Sequence, residues 1–216
     1  MLEKMGEFFD ARLNGYEEHM LTCIESAPEF YPITADYLPK EAHTAVLDLG
    51  CGTGLELNEY FRMNPAAHIT GIDLAPGMLK ALQEKFPDKA LDLHLGSYFD
   101  LPFGESCFDA AVSVESLHHF TQAEKLPLYK KLHHALKDGG YFILTDYFSL
   151  TEEEETSTRA ELLRLKAEQG LAEDEFYHFD TPLTVDHEVE VLRDAGFASV
   201  DVLHAWGPTY LIKATK

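Results

Sequence analysis

The chain has 216 residues, 45% of them hydrophobic, and its 17 basic and 38 acidic side chains leave a net charge of −21. That length supports one substantial core, and that charge repels polyanions, which argues against nucleic acid and anionic membrane surfaces as partners. No apolar run reaches the ~18 residues of a spanning helix; the N-terminus lacks a signal peptide's basic-then-apolar form; and Cys23, Cys51 and Cys107 form no CxxC pair, which suits a reduced, cytoplasmic protein.

In chain order, Leu2, Phe9, Leu13, Met20 and Ile24 fall roughly on one helical face and predict a single helix over 3–26, within an N-terminal helical cap over 1–40. The run Ala45 to Leu49 then reads as a strand that stops at Gly50, Gly52 and Gly54, and helical spacing follows over 54–63. Strand, glycine turn, helix is a device that brings a ligand close to bare main chain and to unpaired N–H groups. The spacing is G-x-G-x-G rather than the dinucleotide fingerprint, and no lysine follows as a P-loop requires. Asp48, two residues before the first glycine, is a poor neighbour for phosphate and a good one for an ammonium group. The next strand, 68–73, ends in Asp73, 19 residues past Gly54, where a doubly wound sheet places a carboxylate to accept ribose hydroxyls.

Strands at 91–95, 108–114 and 140–146 alternate with helices at 76–86 and 121–137, which is the pattern of a parallel α/β sheet. Pro76 suits a helix start, and Asp138-Gly139-Gly140 reads as the end of the fourth helix. Residues 148–183 read as an inserted lid with a helix from Thr151 to Gln169, and the aromatics Phe148, Phe176, Tyr177 and Phe179 suggest a partly apolar ligand beneath it. A last helix over 184–195 precedes strands at 199–205 and 209–214, paired antiparallel around Trp206-Gly207-Pro208. The expected fold class is therefore α/β: one domain over 1–216 with a doubly wound, Rossmann-like, seven-stranded, mostly parallel sheet. It has helices on both faces, a cofactor-binding core over 41–147, and a last helix and antiparallel edge hairpin over 184–216.

Together these segments resemble a class I S-adenosylmethionine-dependent methyltransferase. Val46-Leu-Asp-Leu-Gly-Cys-Gly-Thr-Gly54 is similar to that family's first motif and Gly71-Ile-Asp-Leu-Ala-Pro-Gly-Met-Leu79 to its second. Leu101 to Asp109, Leu136 to Leu144 and Asp194 to Phe197 resemble, in order, the approaches to strands four, five and six. The resemblance implies S-adenosylmethionine as cofactor and S-adenosylhomocysteine as product. Asp48, Gly50, Cys51 and Gly52 would hold the methionine end, Asp73 the ribose, and Leu74 and Met78 the adenine faces, while Tyr16 would close over the cofactor and Glu115 and Ser116 would face it. Where relatives often carry Gly-Asp after strand three, this chain has Gly96-Ser97, so that the Ser97 hydroxyl, with the Tyr98 backbone or Asp100 to compensate, would serve the adenine amine.

A sulfonium methyl is already activated, so positioning dominates and a base is needed only for an acceptor of high pKa. His118, His119 and Tyr147, near the ends of strands four and five, are the candidates for such a role. Neither H-E-x-x-H nor CxxC occurs and adjacent histidines do not share a helix face, so no metal is expected. The expected activity is methyl transfer by in-line displacement to a small, partly apolar acceptor, without nucleic acid or membrane, in a chain that a homodimer would also suit. Two alternatives remain open: an enzyme that modifies the cofactor itself, such as a carboxy-S-adenosylmethionine synthase, and a non-catalytic cofactor-binding module.

Overall fold

A computed structural model describes residues 1–172 and 175–216. Seven strands form one sheet in the order β3-β2-β1-β4-β5-β7-β6. β1 (Ala45–Leu49) pairs in parallel with β2 (His68–Asp73) and β4 (Phe108–Val114); β2 pairs with β3 (Ala90–Leu95) and β4 with β5 (Leu136–Tyr147), also in parallel. The hairpin β6 (Ser199–Trp206) and β7 (Thr209–Thr215) adds antiparallel strands at the edge, turning at Gly207 with φ 57°. The expected fold class holds.

The central strands are apolar on both sides because helices cover both faces. Leu47, Leu49, Ala111, Phe142 and Leu144 pack into one core; Val46, Ile69, Val112 and Ile143 pack into the other. Helix α4 (Leu55–Met63) follows the glycine turn, Pro76 opens α5 (Pro76–Lys85), Thr121 and Glu124 form a capping box on α6 (Gln122–Ala135), and Thr184 caps α8 (Val185–Asp194).

Two expectations are corrected. The N-terminal stretch is not one helix over 3–26 but α1 (Met5–Arg12) and α2 (Tyr16–Cys23), broken where Gly15 takes φ 89°, followed by α3 (Ala27–Asp36). Asp138-Gly139-Gly140 does not end a helix: α6 stops at Ala135, and these residues lie inside β5, where Gly139 takes φ 75° beside an irregularity in the pairing with β4. The inserted segment contains α7 (Glu152–Gln169) and then irregular chain. Glu3 and Met5 hydrogen-bond to His178 and Phe176 through the backbone, which ties the N-terminus to that insertion. Among the described residues no helix is long and apolar enough to cross a membrane.

Candidate functional site

The sheet changes direction of winding at β1, whose neighbours are β2 on one side and β4 on the other. In open α/β sheets that is where ligands bind, outside the carboxyl ends of the strands. The turn after β1 is held back against β2: the N–H groups of Gly50 and Cys51 donate to Ile72 O at 2.9 and 3.2 Å. Gly50 has φ 74°, and a Cβ there would fall 2.0 Å from Ser116 Oγ, so glycine is required by both angle and space. Asp73 accepts from Gly52 N through Oδ2 (2.9 Å) and from Ala75 N through Oδ1 (2.8 Å), and each oxygen keeps a lone pair for a ribose hydroxyl. Burial raises its pKa, opposed by the N–H groups of Ala75, Gly52 and Leu74.

Nine of the twelve expected cofactor residues line one cleft: Tyr16, Gly50, Gly52, Asp73, Leu74, Met78, Tyr98, Glu115 and Ser116. The other three lie behind it. Cys51 is buried against Gly71. Ser97 Oγ accepts from Phe99 N at 3.1 Å and closes a turn. Asp48 is 1% exposed and faces Glu56, and burial followed by the charge of Glu56 pushes its pKa well up, so the pair keeps a proton. Asp48 Oδ2 has no hydrogen-bond partner, an orphaned carboxyl oxygen beneath the glycine turn. Sequence reasoning missed Met5 and Phe9, which complete the cleft from α1.

These residues fit S-adenosylmethionine: an acid for the ribose, Leu74 and Met78 as apolar flanks, and a glycine cradle beside unsatisfied acid for an ammonium end. The cleft as it stands has a volume of about 50 Å³, far below the ~300–1,000 Å³ of a typical ligand pocket.

A second cavity of about 830 Å³ adjoins it, and Phe9, Tyr16, Glu115 and His119 face both. Its walls are α1 and α2, the ends of β4 and β5 with His118 and Tyr147, and His178 with Asp180 from the insertion. Helix α7 contributes nothing to that lining among the described residues, so the cover is the N-terminal pair of helices together with 178–180.

The charges there are set by burial and neighbours. Glu115, left-handed at φ 50°, is pushed up to about 8 by burial and then by Asp146. Burial alone would lower the His118 pKa, but Asp146 at 2.6 Å and Asp180 at 3.4 Å outweigh it and raise it. His119 goes the other way, down to about 3, through burial and the charge on His118. The Tyr147 hydroxyl is raised by burial and stays protonated. Of the three expected catalytic candidates, His119 is thus the neutral histidine and the one that also faces the cofactor cleft. Asp180 was missed because it lies in irregular chain without a periodic signal, although its neighbour Phe179 was in view.

Sheet order, glycine turn and ribose-accepting acid define a Rossmann-like nucleoside-binding domain. A family model described as a methyltransferase domain matches residues 46–140. The biotin biosynthesis bifunctional protein BioHC of Teredinibacter turnerae is 32% identical over 164 residues, covering 72% of this chain and 26% of that protein. The carboxy-S-adenosyl-L-methionine synthase of Campylobacter fetus is 25% identical over 169 residues, 74% of this chain and 72% of the relative. Human N-acetylserotonin methyltransferase in complex with S-adenosylmethionine superposes with a TM-score of 0.65 at 20% identity, over 92% of this chain and 55% of that one. Residues 46–140 thus carry the methyltransferase domain of the class I S-adenosylmethionine-dependent enzymes, and S-adenosylmethionine is that domain's cofactor. The chain spans less than half the length of the first three curated relatives it matches.

Proposed function

We propose that this chain transfers the methyl group of S-adenosylmethionine, by in-line displacement, to a small, partly apolar acceptor held in the larger cavity. The observation that supports this reading is the shared wall: Phe9, Tyr16, Glu115 and His119 border both the cofactor cleft and the larger cavity. Bound in the cleft, the cofactor supplies an activated sulfonium methyl. The protein's own work is to orient and to exclude water. Asp73 fixes the ribose end, Leu74 and Met78 flank the base, and Tyr16 and Phe9 cover the junction. His119, kept neutral by burial and by the charge on His118, accepts a hydrogen bond from the acceptor's nucleophilic atom. Apolar contact comes from Phe8, Phe9, Met20 and Ile24. Because the cleft is small, α1 and α2 move outward to admit the cofactor.

Modification of the cofactor's own methyl would call for a cation to hold an added carboxylate. Arg12 lines the larger cavity, but its guanidinium lies 3.7 Å over the Phe8 ring and donates to both oxygens of Glu3, so that charge is already spent. Methyl transfer is the better fit.

The test is calorimetric titration with S-adenosylmethionine, S-adenosylhomocysteine and NAD, followed by transfer of labelled methyl to a panel of small amines, alcohols and thiols. Micromolar binding of the first two and a labelled product support the reading. Failure of both cofactor forms to bind a folded sample overturns it, and binding without any labelled product in a broad panel favours a cofactor-binding module.

A further inference from the structure

At the inner end of the larger cavity, segments some 60 residues apart bring His118, His119 and Asp180 together. Nε2 of His118 lies 3.4 Å, and Nδ1 of His119 3.3 Å, from the same atom, Oδ1 of Asp180. Both separations are long for a hydrogen bond, whose usual N···O distance is about 2.9–3.0 Å. They match another geometry. A tetrahedral ion with bonds of about 2.0–2.1 Å sets its ligand atoms about 3.3–3.4 Å apart. One ligand atom from each of the three side chains lies within 4.8 Å of the others.

The surroundings support the same reading. The far nitrogen of His118, Nδ1, is held at 2.6 Å by Asp146 Oδ1. Asp146 is itself fixed, accepting from Leu117 N at 2.8 Å and Tyr147 N at 2.9 Å. A carboxylate behind an imidazole is the arrangement that orients a metal-binding histidine and sharpens its lone pair. Asp146, His118 and His119 are buried; Asp146 fixes the His118 ring, Nδ1 of His119 also lies 3.1 Å from Phe179 O, a contact that metal binding would replace, and the half-exposed Asp180 side chain closes the triangle from the insertion.

We propose that His118, His119 and Asp180 bind a divalent first-row transition-metal ion, with a fourth coordination position open to the larger cavity. Two imidazoles and one carboxylate suit zinc, cobalt or nickel rather than magnesium or calcium. Three protein ligands with one open position is the form of a catalytic rather than a structural site. A lone-pair donor fills the open position, either water or the nitrogen, oxygen or sulfur of the acceptor. The site stands on its own geometry and holds whether or not the chain transfers methyl groups.

The experiment is titration of the chelator-treated full chain with cobalt(II), read by visible absorption, and with zinc by competition. One equivalent per chain with micromolar or tighter affinity is expected. Asp180→Ala and His119→Ala should each weaken it about tenfold or more, and His94→Gln, an exposed histidine on β3, should leave it unchanged. Cofactor binding by Asp180→Ala on the same sample confirms that the fold is kept. Absence of saturable one-equivalent binding, or equal affinity in wild type and Asp180→Ala, overturns the proposal and leaves the three side chains as a hydrogen-bonded network.

Discussion

The two cavities are built in different ways. The cofactor cleft stands on the ends of β1, β2 and β4, whose parallel register places Asp48 opposite Gly71 and Val112, and its turn is sewn to β2 by backbone hydrogen bonds. The larger cavity is covered by α1 and α2, each with a single buried residue, Met5 and Met20. That cover is tied to the insertion by the Phe8–His178 stack at 3.5 Å, two backbone bonds and the exposed Lys4–Glu175 pair, the last worth about 0–1 kcal/mol, and to α5 by Gly77 N donating to Asp10 and by the Lys85–Glu17 pair, each at 2.8 Å. The half that holds the cofactor is built on sheet and backbone bonds, and the half that covers the larger cavity rests mainly on side-chain contacts.

The comparison breaks first at the glycine turn. Gly50→Val puts a branched side chain at φ 74°, against Ser116 Oγ, and should cost about a hundredfold or more in S-adenosylmethionine affinity, read by calorimetry with circular dichroism to confirm folding. Normal binding would mean that the turn is not the wall of the site. Asp73→Ala comes next, weakening the cofactor by roughly 1.5–3 kcal/mol as an ionised acceptor is lost; unchanged affinity would remove Asp73 from the ribose.

At the junction, Glu115 gives a pH test. Its pKa rises from 4.5 to about 8 in the folded protein. A raised acid stabilises fully below its unfolded value, and that stabilisation is lost as pH climbs through the folded one, here between 4.5 and about 8. Thermal melts of wild type and Glu115→Gln should therefore agree near the lower end and separate towards the upper end, with the glutamine variant more stable. Parallel curves would show that Glu115 is solvated.

On the covering side, Phe8→Ala removes a stacked pair worth about 0.5–1.5 kcal/mol. It should raise the acceptor KM and speed hydrogen exchange in α1, with little change in cofactor affinity. A loss of cofactor affinity as large as that of Asp73→Ala would mean that both halves act as one.

The same contrast governs what was legible in the sequence. The strands 45–49, 68–73 and 108–114 could be bounded from residue types alone, because apolar runs end abruptly at glycine or acid. Seven of the thirteen residues that line the cofactor cleft lie within three residues of such a boundary. The N-terminal helices were not legible in detail, since the apolar spacing carries on through Leu13 to Gly15 while the backbone breaks there. The glycine pair after Asp138 reads as a helix stop, yet Leu136 already pairs with Phe108. Glu56 and Asp180 acquire meaning only from what the fold brings beside them, Asp48 in one case and two histidines in the other.

The smallest expected effect is the most discriminating about where the cofactor wall ends. Relatives often carry an acid where this chain has Ser97, which suggests that Ser97→Asp should tighten the cofactor. The structure argues otherwise. Ser97 Oγ caps its own turn through Phe99 N, and the N–H groups of Asp100 and Leu101 donate to Ser97 O. Aspartate makes the same cap, so the turn survives the change. It is Tyr98, one residue on, that lines the cleft, with its hydroxyl donating to Ser116 O at 3.1 Å. Ser97→Asp should then shift S-adenosylmethionine affinity by less than about threefold, or about 0.6 kcal/mol. A tenfold gain would place position 97 within reach of the adenine amine and extend the wall beyond Tyr98, with the cleft opening along β3 as α1 moves away.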